Sequence, residues 1–396
     1  MQKIAYAAGP GDVAGTYRRW AQGEADPNEV SETYSGQFFE QVRAFEFSAF
    51  VIASHPRRDL IEDGRFTIEH LPQKRLGKKG LSFHIADIGY WLRVMWRIKR
   101  ARCSVAVISD MEHWWLLTFL RLAGVKVVPT LHCTFWPKGF RPTSKKNRVV
   151  YSLNGWFWRH VPSATIVVSP ECKRQVELVA GNRFSGLMLQ GLAKYRAEYF
   201  AAMQPPVWSA RPFRLMFAGR IEENKGVFDL VTLMQRLIFD VKIEVFLEVC
   251  GDGSAFQNLK QKVMDARLGS SIMLHGKLAQ AEMFDVFQRC HVVIVPTTGA
   301  FAEGFNQVVA EGVLSGRPVV ATSVCPANEL FPNSVIEIGP GDVGKMVEAV
   351  TRLATDQNWY SAVRSYGAKE GNSLYDEAHS WGAAVGRALE HAQKLR

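Results

Sequence analysis

The sequence contains few cysteines, and their spacing does not suit metal or redox chemistry. Six cysteines are spread over 396 residues, and none forms a Cys-x-x-Cys pair of the kind found in zinc ribbons and redox sites. The ten histidines include no His-x-x-x-His or His-Glu-x-x-His pattern. We therefore expect a protein of a reducing compartment that carries no metal ion and no other cofactor.

The chain also lacks a long apolar run. A helix that spans a bilayer needs about 20 consecutive apolar residues, whereas the longest comparable run, 114–120, ends at Arg121. The residues before Gly9 contain one lysine and a short apolar stretch, so they lack the longer apolar core of a signal peptide. We expect a cytoplasmic protein without a membrane span, whose first residues form a β-strand.

No segment has the low hydrophobicity of a disordered tract, because 47% of the residues are hydrophobic and 22% are charged. A single core rarely grows beyond roughly 250–300 residues, so a chain of 396 residues predicts two domains. Prolines at 205, 206 and 212 interrupt the pattern of helices and strands. We predict an N-terminal domain over 1–200, a C-terminal domain over 201–376, and a last helix over 377–396 that crosses back to the first domain.

Short apolar runs alternate with stretches in which apolar residues recur every three or four positions. This alternation of strand and helix is typical of doubly wound α/β domains with parallel sheets. The predicted strands are 3–8, 49–54, 105–109, 125–130, 165–169, 214–218, 244–250, 271–275, 292–296, 319–322 and 334–338, and the predicted helices include 227–239, 256–266, 282–290 and 308–314.

Two carboxylates flank a predicted helix start in the segment 302–311, Ala-Glu-Gly-Phe-Asn-Gln-Val-Val-Ala-Glu. Glu303 and Glu311 lie there at the carboxyl edge of a strand, where open α/β sheets bind ligands. The main-chain N–H groups of Gly304, Phe305 and Asn306 are expected to bind an anion such as phosphate. The alternative is that Glu303 caps the helix and Glu311 is a solvated helix residue.

A second segment at the same edge carries two cations. Residues 215–226 form a predicted strand followed by a turn that contains Arg220 and Lys225. Arginine binds phosphate through two parallel hydrogen bonds and lysine adds a point charge, so the pair suits a diphosphate. The alternative is a basic surface turn in which Arg220 pairs with Glu222 or Glu223.

These segments occur in order with 249–253, 274–278, 316–322 and Glu329, and together they resemble the donor domain of retaining glycosyltransferases of family 4 over roughly residues 212–340. That family has the GT-B fold, in which two Rossmann-like domains face a central cleft. Its Glu-x7-Glu element is matched here by Glu303 and Glu311. The resemblance implies a metal-independent, hexosyltransferase-like enzyme that uses a UDP- or GDP-sugar and retains the anomeric configuration. It also implies a saccharide or lipid-linked saccharide acceptor, in surface or exopolysaccharide assembly.

The resemblance further implies roles for the site residues. Arg220 and Lys225 would hold the donor phosphates, Glu303 would bind sugar hydroxyls, and Glu311 would bind the nucleotide ribose.

Main-chain groups around Gly276 and Lys277 would lie close to the base. One position departs from the family, because Asn306 stands where a glycine is common after Glu-Gly-Phe. This departure leaves the identity of the sugar open.

The first half of the chain contains a glycine-rich loop at 8–16, Ala-Gly-Pro-Gly-Asp-Val-Ala-Gly-Thr. By the resemblance, Gly11 and Asp12 belong to the loop that lines the acceptor side of the cleft. The loop also matches a loose Gly-x-Gly-x-x-Ala dinucleotide fingerprint, which requires an acidic residue at the end of the second strand. The second strand instead runs into His-Pro-Arg-Arg at 55–58, so the sequence disfavours a nicotinamide enzyme.

His132 follows the predicted strand 125–130, at the edge where the family often places a histidine near the reacting sugar. We count it with Glu303 as a candidate catalytic residue. The alternative is a histidine of the hydrophobic core.

The formal charge of +10 indicates an anionic partner. Aromatic and basic residues are interleaved at 90–102, 113–115, 145–148 and 156–159. Tryptophan together with Lys and Arg on one helix is typical of helices that lie on anionic membranes, so an anionic membrane surface is a candidate partner. The alternative is a buried helix with a solvated basic face. Nucleic acid is disfavoured because no nucleic-acid-binding motif occurs.

Two other functions fit the same fold. One is a non-catalytic protein that binds a sugar nucleotide or a polyanion, and the other is a GT-B phosphorylase or epimerase. Transfer or hydrolysis of a donor by the purified protein separates the first from a transferase, and phosphate-dependent turnover separates the second.

Overall fold

The computed structural model describes residues 2–27, 29–73, 80–109, 111–184 and 186–394, with the backbone alone at 145–147. Contacts between Cα atoms divide the chain into two compact units. The first comprises Met1–Thr134, Pro142–Lys194 and Asp376–Arg396, and the second comprises Phe135–Arg141 and Tyr195–Tyr375. The second unit thus begins at Tyr195 rather than at residue 201, and it includes a short segment that the prediction assigns to the first domain.

The strands of the first unit are β1 (Lys3–Ala8), β2 (Ser48–Ala53), β3 (Leu60–Asp63), β4 (Phe66–His70), β5 (Val105–Ser109), β6 (Lys126–Leu131), β7 (Ala164–Val167) and β8 (Leu187–Gln190). Those of the second unit are β9 (Phe213–Ala218), β10 (Val245–Cys250), β11 (Ile272–Gly276), β12 (Val292–Val295), β13 (Val319–Thr322) and β14 (Val335–Ile338). All eleven predicted strands are present, with ends that differ by at most two residues.

The helices are α1 (Val13–Gln22), α2 (Tyr34–Ala44), α3 (Gly80–Arg100), α4 (Leu117–Leu122), α5 (Lys145–His160), α6 (Pro170–Val179), α7 (Ala197–Ala201), α8 (Asp229–Gln235), α9 (Phe256–Asp265), α10 (Gln280–Arg289), α11 (Gln307–Leu314), α12 (Val343–Thr355), α13 (Gln357–Ser365), α14 (Gly367–Glu370) and α15 (Trp381–Lys394). Within the described part of the chain, none of them is long and apolar enough to cross a membrane.

The first unit contains an eight-stranded sheet in the order β3-β4-β2-β1-β5-β6-β7-β8. Its neighbouring strands are parallel except β3, which pairs antiparallel with β4. All five residues of β5 are buried, as expected for a central strand covered by helices on both faces. Because crossovers between parallel strands are right-handed, α1 and α2 lie on one face of this sheet and α3–α6 on the other.

The last helix, α15, belongs to the first unit and packs against α2 and β7. Trp381 at its start is fully buried, and its indole Nε1 donates a hydrogen bond of 2.8 Å to Thr130 Oγ1 on β6. The main-chain N–H of Gly382 donates to Gln37 Oε1 on α2 at 2.7 Å. Through these two bonds the last residues of the chain complete the core of a unit that the first residues begin.

Three strands of the first unit were not predicted: β3, β4 and β8. Strand β3, Leu-Ile-Glu-Asp, is polar and mostly exposed at the sheet edge, and a short turn joins it to β4. Strand β8 forms the opposite edge and is only half-buried. The two edge strands, β3 and β8, carry little of the apolar periodicity from which strands are predicted.

The second unit contains a six-stranded parallel sheet in the order β11-β10-β9-β12-β13-β14. Strands β10 and β11 follow β9 in one direction, and β12, β13 and β14 extend in the other. The order in which strands are added to the sheet therefore reverses, and the reversal point lies between the neighbouring strands β9 and β12. In open α/β sheets, ligands bind at the carboxyl ends of the strands at such a reversal.

A buried histidine, His291, immediately precedes β12 at the amino end of that strand. The His291 Nδ1 accepts a hydrogen bond of 3.0 Å from the main-chain N–H of Arg214, and its Nε2 lies 3.2 Å from the Val207 carbonyl oxygen. Burial, together with the charges of Arg211 and Arg214, lowers the pKa of His291 to about 4. The ring is therefore neutral at pH 7 and donates through Nε2.

We expect this histidine to make the fold sensitive to acid. Below pH 6.5 an unfolded histidine takes up a proton that folded His291 refuses until about pH 4. The free energy of unfolding should therefore fall by about 1.4 kcal/mol between pH 7.5 and pH 5.5. Urea unfolding at both pH values should show a smaller fall for His291→Asn, which removes the titrating ring. The exposed-site variant His379→Asn serves as the control, and an equal fall in all three proteins would contradict the assignment.

Candidate functional site

The loops that follow β9 and β12 meet at the reversal point of the second sheet. The main-chain N–H of Thr298 donates to the Asn224 carbonyl oxygen at 3.0 Å, and the Thr298 hydroxyl donates to the same oxygen at 3.1 Å. Gly226 follows in the first loop with a φ of +73°, and a Cβ atom added to it would lie 1.9 Å from the Pro296 carbonyl oxygen. The two loops can approach this closely only because residue 226 is glycine.

This approach brings together the cation and the carboxylate that the sequence singles out. Lys225 Nζ lies 2.7 Å from Glu303 Oε2, and the two side chains are 14% and 12% exposed. The Asn306 Nδ2 donates to the same carboxylate oxygen at 2.9 Å. The alternative in which Glu303 caps the helix is wrong, because the helix cap is a different residue.

That cap is Asn306, whose Oδ1 accepts a hydrogen bond of 3.3 Å from the main-chain N–H of Val309. Helix α11 begins at Gln307, so Gly304, Phe305 and Asn306 form the loop before the helix rather than its first turn. The N–H groups of the first turn belong to residues 307–309, and that of Val309 is already bonded to Asn306. Asn306 has a φ of +73°, a conformation that glycine adopts freely and that asparagine tolerates better than other residues.

An aromatic ring lies beside both candidate phosphate ligands. Lys225 Nζ lies 3.8 Å from the centroid of the Phe301 ring, and the Arg220 guanidinium carbon lies 5.3 Å from it. A cation over a ring face is attracted by the ring quadrupole, so Phe301 holds the two cations in one place. The alternative pairing of Arg220 with Glu222 or Glu223 does not occur among the described ion pairs, and Glu222 Oε2 instead accepts a hydrogen bond from Ser254 Oγ at 3.0 Å.

Glu311 lies in the second turn of α11, near a tyrosine that the sequence did not single out. Burial and the nearby charge of Glu311 raise the pKa of Tyr199 to about 12. The Tyr199 hydroxyl donates to the carbonyl oxygen of Gln280, at the start of α10, at 3.4 Å. Helix α10 begins three residues after Lys277, so Tyr199 lies near the expected ribose ligand and contacts the helix that follows the expected base-binding segment.

A buried carboxylate, Glu248, holds the residue that precedes Gly276 in place. Glu248 on β10 is 2% exposed and bonds to His275 Nε2 at 2.6 Å, to Arg289 Nε at 2.7 Å and to Arg214 at 2.7 Å. Burial alone would raise its pKa, but the hydrogen bonds and charges of Arg289 and His275 lower the pKa of Glu248 to about 2. Glu248 is therefore ionised throughout the physiological range, and it fixes His275 next to Gly276.

A cavity of about 520 Å³ opens beside the first loop. Residues 222–224 line it together with Phe228, Ser254, Ala255, Asn258, Thr298 and Ala300. Asn224 and Thr298 in this lining belong to the two loops that meet.

The remaining candidates, Gly11, Asp12 and His132, lie in the first unit. Asp12 Oδ1 accepts a hydrogen bond of 2.9 Å from the main-chain N–H of Gly15, and His70 Nε2 accepts one of 3.0 Å from Ala14. These side chains take up first-turn N–H groups of α1, which leaves little room for a dinucleotide pyrophosphate at this loop.

His132 follows β6 at the carboxyl edge of the first sheet and is half-buried. Its ring centroid lies 4.3 Å from that of Tyr34 and 5.9 Å from that of Trp381. Aromatic packing therefore fixes the position of this ring.

The sequence of this chain is similar to those of known glycosyltransferases. Residues 212–356 match the family described as "Glycosyl transferases group 1". Over 324 residues the chain is 22% identical to a glycogen synthase of Mycobacterium tuberculosis, covering 77% of this chain and 75% of that protein. It is also 30% identical over 228 residues to a D-inositol 3-phosphate glycosyltransferase of Arthrobacter, covering 54% of this chain and 53% of that protein.

Similar solved structures include a sucrose-phosphate synthase from Thermosynechococcus elongatus, with a TM-score of 0.70, 16% identity and coverage of 99% of this chain and 98% of that one. Anabaena HepE in complex with UDP and glucose has a TM-score of 0.65 and 14% identity over 100% of both chains. These likenesses show that the chain has the GT-B fold, as the sequence predicts. With the family match they support a glycosyltransferase.

The contact between the two loops gives a stability prediction. Gly226→Ala and Gly341→Ala both place a side chain at a φ near +75°, and only the second has open space around the new Cβ. We expect Gly341→Ala to lower the free energy of unfolding by about 1–2 kcal/mol. Gly226→Ala should lose clearly more, because the Pro296 carbonyl must move away. Urea unfolding of both variants measures the difference, and equal losses would show that the loops have room to separate.

Proposed function

We propose that this protein is a retaining glycosyltransferase of family 4 that moves a hexosyl group from a UDP- or GDP-sugar to a saccharide or lipid-linked saccharide. The observation that carries the proposal is the assembly of Arg220, Lys225 and Glu303 at the reversal point of the second sheet. This assembly lies inside the segment that matches a glycosyltransferase family. A role in surface or exopolysaccharide assembly belongs to the same proposal.

The donor diphosphate would bind to Arg220, Lys225 and the main-chain N–H groups of Gly304, Phe305 and Asn306. Guanidinium, ammonium and N–H groups are suitable partners for phosphate oxygens. Glu303 lies 2.7 Å from Lys225, which places a carboxylate for sugar hydroxyls directly beside a phosphate ligand. The sugar and phosphate ends of a donor are joined through one oxygen, so their ligands must be neighbours in this way.

Glu311 and the segment around Gly276 and Lys277 would bind the nucleoside. Glu311 would accept hydrogen bonds from the ribose hydroxyls, and main-chain groups at 276 and 277 would contact the base. This proposal is supported by the position of Tyr199, which lies near Glu311 and contacts the start of α10, three residues after Lys277.

In the transfer itself, the bond between the anomeric carbon and the diphosphate oxygen breaks and the acceptor oxygen bonds to the same face of that carbon. The acceptor proton passes to the departing diphosphate, so the configuration is retained without a protein nucleophile. Fixed cations and N–H dipoles stabilise the negative charge that develops on the leaving group. Arg220 and Lys225 thereby take the place of a metal ion. We also propose His132 as a catalytic residue and Gly11 and Asp12 as residues of the acceptor loop, as the resemblance to the family implies.

Glu303→Gln should reduce the rate of transfer by about a hundredfold, as removal of a preorganised polar group commonly does, with little loss of stability. The amide keeps the size of the side chain and can still accept the hydrogen bond from Asn306. Donor hydrolysis and transfer by purified protein measure the rate, and thermal unfolding measures the stability. Glu348→Gln, which changes a carboxylate at an exposed ion pair, is the control. Full activity in Glu303→Gln would remove Glu303 from the site, and a wild type without hydrolysis or transfer would favour a binding protein.

The phosphate contacts predict a separate binding result. A hydrogen bond to a charged group contributes roughly 1.5–3 kcal/mol, so Arg220→Ala and Lys225→Ala should each weaken binding of UDP or GDP by about ten- to a hundredfold. Calorimetric titration with and without EDTA measures the affinity, and Lys345→Ala, at an exposed lysine, is the control. Unchanged affinity in both variants would place the phosphates elsewhere. Binding by the wild type that EDTA abolishes would require a metal ion.

A further inference from the structure

The exposed apolar side chains of this protein are concentrated on three neighbouring helices of the first unit. Seventeen large apolar side chains are exposed among the described residues, and nine of them lie on α3, α4 and α5. These three helices cover the same face of the first sheet. The nine residues, which we term the outer face, are Leu81, Ile85, Leu92, Trp96, Phe119, Leu122, Val149, Leu153 and Trp156.

Helix α3 is apolar on two opposite sides. Its inner side packs on the sheet and includes Tyr90 and Trp91, which are 2% and 3% exposed. Of the aromatic residues that suggested a membrane helix at 90–102, these two therefore belong to the core. Its outer side carries four apolar residues spaced four, seven and four positions apart, which places them in one stripe along the helix. They are Leu81, Ile85, Leu92 and Trp96.

Helix α5 repeats this arrangement. Phe157 and Trp158 are fully buried and pack on Trp114, whereas Trp156, immediately before them in the sequence, is 48% exposed. Asn154 fixes the helix to the segment that precedes α4. Its Oδ1 accepts a hydrogen bond of 3.3 Å from the Trp115 N–H, and its Nδ2 donates one of 3.1 Å to the Glu112 carbonyl oxygen. The outer residues are thus exposed on a helix that is held firmly in place.

The charge of these helices has one sign. The sequences of α3, α4 and α5 contain nine Lys or Arg residues and a single acidic residue, Asp87, which is fully buried. Arg93, Arg100, Arg121 and Arg148 are exposed beside the apolar stripe, and the Arg100 guanidinium carbon lies 5.2 Å from the Trp96 ring centroid. Lys145 and Lys146 belong to the same count, but their side chains lie outside the described residues.

We propose that the outer face binds the surface of an anionic lipid bilayer. Apolar side chains with tryptophan at their margin enter the boundary between headgroups and acyl chains, and the surrounding arginines pair with lipid phosphates. None of the described helices can span a bilayer, so the first unit lies on the membrane rather than in it. Resting on the proposed function, this inference names the acceptor as a lipid-linked saccharide at the inner face of the membrane of a cytoplasmic enzyme.

Sedimentation of the full-length protein with vesicles tests the proposal. Vesicles of phosphatidylglycerol and phosphatidylcholine should bind it at 0.1 M salt, and binding should fall steeply towards 1 M salt as the screening length falls from about 10 Å to 3 Å. Vesicles of phosphatidylcholine alone should bind it weakly. Equal binding to both vesicle types, or no binding to either, would overturn the proposal.

Paired variants locate the binding surface. Each basic residue near an anionic membrane contributes about 1 kcal/mol, or about fivefold, so Arg93→Gln with Arg100→Gln should weaken binding about twenty-fivefold. The double variant Leu92→Ser with Trp96→Ser should weaken vesicle binding more than the double arginine variant does, because it removes apolar side chains that enter the bilayer. Two double variants of exposed residues in the second unit are the controls. Val207→Ser with Phe239→Ser is matched to the apolar variant, and Arg236→Gln with Lys345→Gln is matched to the arginine variant. Equal losses in the controls, or a dimer that the outer-face variants dissociate, would overturn the proposal.

Calorimetric binding of UDP or GDP by the same variants separates the two proposals. The outer face lies in the first unit and the phosphate ligands in the second, so the variants should keep the wild-type affinity for nucleotide. Loss of vesicle binding with unchanged nucleotide binding supports the outer face. Vesicle binding by a protein that binds no nucleotide would leave the outer face intact and refute the donor site.

Discussion

The loops after β9 and β12 can meet only because residue 226 has no side chain. A Cβ there would overlap the Pro296 carbonyl oxygen, and glycine also adopts the positive φ that turns the chain towards α8. Once the loops touch, Lys225 of one and Glu303 of the other form an ion pair that is largely shielded from water. The chemistry proposed for the second unit therefore depends on a backbone contact, and each charged group has its partner before any ligand arrives.

That ion pair differs from one that exists for stability alone. Two charges removed from water recover little net free energy from their attraction, and removal of one leaves the other unsatisfied. In the proposed site, phosphate would replace the carboxylate at Lys225, and sugar hydroxyls would replace the ammonium at Glu303. Glu248 contrasts with this pair, because three basic side chains surround that carboxylate and 2% of it is exposed. Glu248 holds the position of its neighbours, whereas the proposed role of Glu303 requires it to exchange partners.

Sequence reasoning located the strands that are buried on both faces, because continuous apolar runs between turns identify them. It also located Arg220, Lys225 and Glu303, whose spacing from the ends of β9 and β12 puts them at one edge. It missed contacts that depend on distant parts of the chain. Tyr199 lies before the second sheet begins, and no local pattern links it to Glu311. The segment Phe135–Arg141 joins the second unit through contacts such as Lys138 with Glu329 at 3.0 Å, which chain position does not reveal.

The two faces of α3 show why composition alone could not settle the role of its aromatic residues. Tyr90, Trp91 and Trp96 lie within seven residues of one another, and composition treats them alike. In the fold, the right-handed crossover from β4 to β5 turns the first two towards the sheet and the third away from it. A helix that only filled the core would need one apolar side, and its other side would gain nothing from leucine and tryptophan. Apolar residues on the second side of a helix that carries arginines and no exposed acid of its own are accounted for by a second apolar and anionic surface outside the protein.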